Sequence, residues 1–121
     1  MGLLYSKQPT QRQLAVASSM QKLISSAVIK NEIYHPDLED VIIVFPFAKI
    51  TPDLKNLIIY VDCIDKSKLP IVLEVLKSLS NNFKKLIANK LNLKYVPEIR
   101  FIEDEITQKE TKILKIMDEL A

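Results

Sequence analysis

At 121 residues the chain has the size of a single domain, long enough to bury one core without staples. Apolar residues make up 48% and charged residues 26%, and no apolar run reaches the roughly 18 residues of a membrane-spanning helix. A single cysteine (Cys63) rules out an intrachain disulfide and makes the cytoplasm the default setting. With a single histidine (His35) beside it, a zinc cluster or a Ser/Cys-His catalytic arrangement is hard to build.

The net charge of +2 hides an uneven distribution. Between positions 77 and 100, Lys77, Lys84, Lys85, Lys90, Lys94 and Arg100 face only Glu98, a local +5. Positions 31 to 40 carry Glu32, Asp37, Glu39 and Asp40 with no lysine or arginine. A basic segment concentrated on a nearly neutral chain points to a polyanion partner, set against the plainer reading of a solvated helix face.

In chain order, residues 1–10 read as a flexible segment whose apolar patch is too short for a secretory signal. Met1-Gly2 with Ser6 fits the loose myristoylation spacing, a pattern common by chance. Thr10 and Gln13 form a capping box. Leu14, Ala17, Met20, Leu23, Ile24, Ala27 and Val28 then recur at helical spacing over residues 11–30, with Gln, Ser and Lys22 outside. Pro36 closes this helix in the turn Tyr34-His35-Pro36-Asp37.

Val41 to Ile50 is β-branched and aromatic, hence a strand, and Pro46 inside it predicts a bulge or an unpaired edge position. Thr51-Pro52-Asp53-Leu54 is a turn, and Leu57 to Ile64 a second strand pairing antiparallel with the first. A helix opens after Asp65-Lys66-Ser67-Lys68, with Pro70 in its first turn. Its apolar arc (Val72, Leu76, Leu79, Phe83, Leu86, Ile87) is nearly continuous, but Lys90 falls back into that arc, so the register slips near residue 80. Val96 to Ile102 is a third strand, and Ile106, Ile113, Ile116, Met117 and Leu120 outline a short last helix. The predicted class is α+β, with helices on one face of a small sheet. Asp62 and Asp65, or Glu103, Asp104 and Glu105, could be imagined around a metal, but acids at strand ends and helix starts read as caps and solvated turns. His35 reads as a turn residue and Cys63 as a small buried hydrophobe.

The chain resembles the ribosome-binding factor A family from about Gln11 to Leu120. Met20-Gln21-Lys22 is similar to the middle of the family's first helix, and His35-Pro36-Asp37-Leu38 to its Asp-Pro-Arg-Leu segment. Thr51-Pro52-Asp53-Leu54 followed by Ile59-Tyr60-Val61 resembles its S-P-D-L … V-Y-V hairpin. The most specific string, Leu91 to Phe101 ("LNLKYVPEIRF"), is similar to L-x-L-R-x-V-P-E-L-x-F. The resemblance implies one type II KH-like domain over residues 11–120, ordered α-β-β-α-kink-α-β, with a short C-terminal helix. In that family an Ala-x-Gly kink replaces the Gly-x-x-Gly loop of ordinary KH domains. Here Leu79-Ser80-Asn81 falls at the kink, and the chain's one glycine is Gly2. The expectation is a break at Ser80-Asn81-Asn82, with Asn81 in the left-handed turn and Lys84 and Lys85 in the first turn after it.

The function implied is binding to the immature small ribosomal subunit and its ribosomal RNA, assisting late maturation that includes processing of the RNA's 5′ end. Lys77, Lys84, Lys85, Lys90 and Lys94 would meet phosphates, with Ser80, Asn81, Asn82 and Asn89 offering hydrogen bonds at the break. No cofactor, small-molecule substrate, catalytic pair or membrane partner is expected. Neither is an oligomer, because no long apolar stripe is left over. Tyr60 and Tyr95 could stack on bases, though a strand aromatic such as Tyr60 more often packs inward. The alternative is a protein–protein interaction module using the acidic 31–40 loop or the acidic last helix.

Overall fold

The structure, a computed structural model, describes residues 10–105. The segment 1–9 and the last helix expected from the sequence lie outside the described residues. Helix α1 runs Gln11–Ile29 and opens on the expected capping box: the Thr10 N–H donates to Gln13 Oε1 (2.8 Å) and the Gln13 N–H to Thr10 Oγ1 (3.1 Å). Folding Gln13 back in this way buries it, and Leu14, placed on the apolar stripe by its spacing, stands exposed. The buried face of α1 is Gln13, Ala17, Met20, Ile24 and Ala27.

The first predicted strand is two short ones, β1 (Ile43–Val44) and β2 (Ala48–Ile50), both antiparallel to β3 (Asn56–Cys63). Val44 lies opposite Asp62 and Ala48 opposite Ile59, so three residues on one strand face two on the other. Pro46 sits in that extra-residue bulge, as its missing N–H requires. The Tyr60 N–H donates to the Phe47 carbonyl and the Ile64 N–H to the Ile42 carbonyl. Residues four apart on a strand aim their N–H at one edge, so β1 and β2 share an edge of β3. The bulge takes the Phe45 carbonyl off the ladder, and the Gln21 side-chain amide donates to it. Gln21 therefore turns inward, contrary to the polar outer face read from the sequence.

On its other edge β3 pairs in parallel with β4 (Glu98–Glu103). Parallel neighbours need a long crossover, which helices α2 (Leu69–Ser78) and α3 (Ser80–Leu91) supply. Run straight, residues 69–91 would extend about 34 Å, against roughly 26 Å for the eight residues of β3. A bent crossover fits the shorter sheet. Leu57, Ile59, Val61 and Cys63 of β3 and Ile99 and Phe101 of β4 point to the helices and join Met20, Ile24, Val72, Leu76, Phe83 and Ile87 in one core. The opposite sheet face carries Lys49, Ile58, Arg100 and Ile102. There Tyr60 is kept dry by the Phe47 ring, 4.3 Å away between centroids.

α3 ends on Asn92 in the left-handed region (φ 52°, ψ 46°), its N–H donating to the Ala88 carbonyl. Asn tolerates this geometry and Ala does not. Asn92→Ala is expected to cost about 1–2 kcal/mol in urea unfolding, and Asn92→Gly to stay within about 0.5 kcal/mol of the parent. Cys63 is buried, and its thiol donates to the Asp65 carbonyl (3.0 Å). Burial, and next the Asp62 charge, push its pKa up. The thiolate is the reactive form, so a maleimide at neutral pH should label the native protein at least about a hundredfold more slowly than the urea-unfolded chain.

Candidate nucleic-acid interface

The helix break falls at Leu79 (φ −95°, ψ 6°), one residue before the predicted stretch. Its N–H is shared between the Val75 and Leu76 carbonyls (3.1 Å each), the Ser78 hydroxyl donates to the Val75 carbonyl (2.6 Å), and the Ser80 hydroxyl donates to the Lys77 carbonyl (2.7 Å). The Ser80 hydroxyl thus occupies the Lys77 carbonyl at the break, and the chain turns without a positive φ. The expectation of a left-handed Asn81 is overturned: among the described residues the non-glycine positive-φ positions are Asn31, Asp40, Leu54 and Asn92. Ser80, Asn81 and Asn82 form the first turn of α3, and Lys84 and Lys85 sit in its second. A right-handed break needs no glycine, which accounts for Asn at that position.

No side chain caps the start of α3 and no acid lies in its first turn. Phe83 and Ile87 are buried, so the outer arc at 100° per residue falls to Asn81, Asn82, Lys85 and Asn89, all exposed. Lys77 is exposed in the last turn of α2, and Lys90 in the last turn of α3, where the ending helix frees it from the apolar arc. Lys94 follows in the connection to β4, its Nζ 5.5 Å from the centre of the Tyr95 ring. Lys84 differs from the rest. Its Nζ pairs with Glu98 Oε1 at 2.7 Å, and its side chain is 27% exposed. Glu98 thus neutralises Lys84, leaving Lys85 without an ion-pair partner among the described residues.

Tyr95, 80% exposed, is the most open aromatic of the described residues, and Lys94 beside it makes a flat cationic edge. The sequence offered Tyr60 and Tyr95 alike as rings that could stack, and the structure leaves only Tyr95 of the two open. Tyr60 is covered and offers no free ring. Asp62 pairs with Lys66, and Asp65 caps the 3-10 turn Lys66–Lys68, where hydrogen bonds from Ser67 hold its carboxyl below the usual range. Asp65 acts as a cap, as read, whereas Asp62 is a largely covered strand residue held in an ion pair. Asp104 departs from the solvated-turn reading, for it is fully buried at the end of β4, its N–H donating to the Val61 carbonyl. His35 accepts from the Asp37 N–H (3.1 Å) and caps the turn Pro36–Leu38. Among the described residues no three His, Cys, Asp or Glu side chains gather as a metal site would require.

Such a geometry defines a class, a small α+β domain with a lysine- and asparagine-bearing helical face and no assembled catalytic group among the described residues. The chain belongs to the ribosome-binding factor A family, whose sequence model it matches over residues 12–117. A ribosome-binding factor A from Bradyrhizobium sp. (strain BTAi1) is 33% identical over 108 residues, covering 89% of this chain and 78% of the relative. The solution NMR structure of a Thermotoga maritima protein assigned to ribosome binding factor A superposes with a TM-score of 0.70 at 27% identity, covering 83% of this chain and 93% of that one. The fold is also shared, at 11% identity and a TM-score of 0.56, by a homology model of the Thermus thermophilus ribosome binding factor A fitted into a cryo-EM map of a 30S–ribosome binding factor A complex. That likeness covers 71% of this chain and 88% of the other.

Proposed function

We infer that the protein is a non-enzymatic ribosome assembly factor that binds the immature small subunit in the cytoplasm through its ribosomal RNA and assists late maturation, 5′-end processing included. Family membership and the fold shared with a protein fitted into a 30S complex support the partner. The observation carrying the interface is the outer arc of α3 and its flanks, where Lys77, Lys85, Lys90 and Lys94 stand exposed beside Asn81, Asn82 and Asn89. These lysines suit phosphates, the amides suit sugar or base edges, and such a face reads RNA chiefly by shape. The KH-like element order, with a kink replacing a glycine loop, supports the same use of the break.

Co-sedimentation of the full chain with purified small subunits across a salt series tests this. Binding to small but not large subunits is expected, with log K falling linearly in log salt by about 0.7–0.9 per phosphate contact. Binding insensitive to salt, or equal on both subunits, would overturn it.

A further inference from the structure

Ile29, Tyr34, Ile42 and Val44 are large apolar side chains that remain exposed, and they surround one cavity of about 480 Å³ between the end of α1 and the start of β1. Buried Ile33 and Ile43 belong to the same lining. The sequence suggested no leftover apolar surface. This surface arises because the 30–42 connection brings residues from two distant elements together.

The connection is held in shape. Asn31 (φ 58°) and Asp40 (φ 63°) are its two left-handed hinges, and Asn and Asp are the residue types that tolerate them. His35 caps the turn between them, and the Tyr34 hydroxyl donates to Glu39 Oε2 (3.1 Å) across it. That hydrogen bond and the Glu39 charge raise the pKa of the Tyr34 phenol. Two exposed carboxylates, Glu39 and Asp40, and the half-buried His35 belong to the lining, while Glu32 and Asp37 stand exposed elsewhere on the same connection. A contiguous apolar patch with carboxylates in its lining marks an interaction site.

Placement sharpens the inference. The Ile64 N–H meets the Ile42 carbonyl at the far end of β3, and the Glu98 N–H meets the Lys55 carbonyl at its near end, beside Lys84 and the connection bearing Lys94. The acidic groove and those lysines lie at opposite ends of the sheet, on the order of 25 Å apart. The Glu39 and Asp40 carboxylates in the groove repel a polyanion.

We propose that this groove docks a basic polypeptide segment that inserts an apolar side chain between Ile29, Tyr34 and Ile42 and sets its Lys or Arg residues against Glu39 and Asp40. It is a second contact surface, separate from the α3 face.

The test uses the full-length, ¹⁵N-labelled chain and a synthetic peptide with Leu-Phe between two Lys/Arg triplets. Amide shifts confined to residues 29–44 are expected. Affinity should fall about tenfold in Ile42→Ser, in the Glu39→Gln/Asp40→Asn double variant, and for a peptide with Ser-Ser in place of Leu-Phe. Ile42 and Glu39 are exposed and Asn tolerates the Asp40 backbone, so the variants keep the fold, which circular dichroism checks. Shifts scattered elsewhere, unchanged affinity in the variants, the same shifts caused by a single-stranded RNA, or closure of the groove by a second copy in sedimentation would each overturn the proposal.

Discussion

Replacing Phe83 with Ala should cost about 3–5 kcal/mol in urea unfolding, a large part of the 5–15 kcal/mol that domains of this size possess. Phe83 is fully buried and lies four residues after the helix break, where its N–H donates to the Leu79 carbonyl (3.1 Å). Its ring meets Phe101 of β4 at 5.4 Å between centroids, tilted by 55°, a geometry that adds about 0.5–1.5 kcal/mol beyond area burial. That contact ties the second half of the crossover to the parallel strand it must reach. Truncation therefore leaves a cavity and loosens the anchor of α3 together. Phe83→Leu, which keeps most of the volume, should cost less than half as much. Tyr95→Ala, at an 80% exposed position, should stay within about 0.5 kcal/mol. A loss below about 1 kcal/mol for Phe83→Ala would mean that α3 is held chiefly by other contacts.

What the sequence revealed and what it hid divide along physical lines. The capping box at Thr10 and Gln13, the Pro46 bulge and the His35 turn are local chemistry, each fixed within a few residues, and each lies where its pattern places it. The apolar period after Pro70 and the string Leu91 to Phe101 located the helices and the strand after them, but not that this strand runs parallel to β3. The errors arise where tertiary partners decide. Gln21 reads as solvent-facing until the Phe45 carbonyl leaves the ladder and needs a donor. Asn81 reads as the left-handed residue because Asn tolerates that turn, yet the bend is taken by Leu79, with the Ser78 and Ser80 hydroxyls donating to neighbouring carbonyls. The nine candidate contact residues do share the bent α2–α3 crossover and the connection after it, but no local pattern distinguishes Lys84, paired across fourteen positions with Glu98, from Lys85, which is exposed beside it. The exposed groove at Ile29 and Ile42 is invisible for the same reason, since its walls come from separate elements.

Lys84 and Glu98 make the sharpest expectation about the interface, because its sign is opposite for two nearby changes. Lys85→Glu should weaken binding to purified small subunits about tenfold near 0.1 M salt and lower the slope of log K against log salt by about one. It is an exposed point charge on the outer arc of α3, so the fold should be unaffected. Glu98→Gln should do the reverse and strengthen binding severalfold. Glu98 is the single acid between positions 77 and 100, and it occupies the Lys84 ammonium at 2.7 Å. Its side chain is 70% exposed, so losing the pair should cost the fold no more than about 1 kcal/mol. Neutralising it frees one cation and removes one repulsive charge from the face proposed to meet phosphate. If Glu98→Gln instead weakens binding, the carboxylate is there to hold Lys84 in a contacting pose, and Lys84→Met should then match the loss seen for Lys85→Glu. If neither change moves the affinity, the lysines of α3 are a solvated face and the RNA lies elsewhere on the domain.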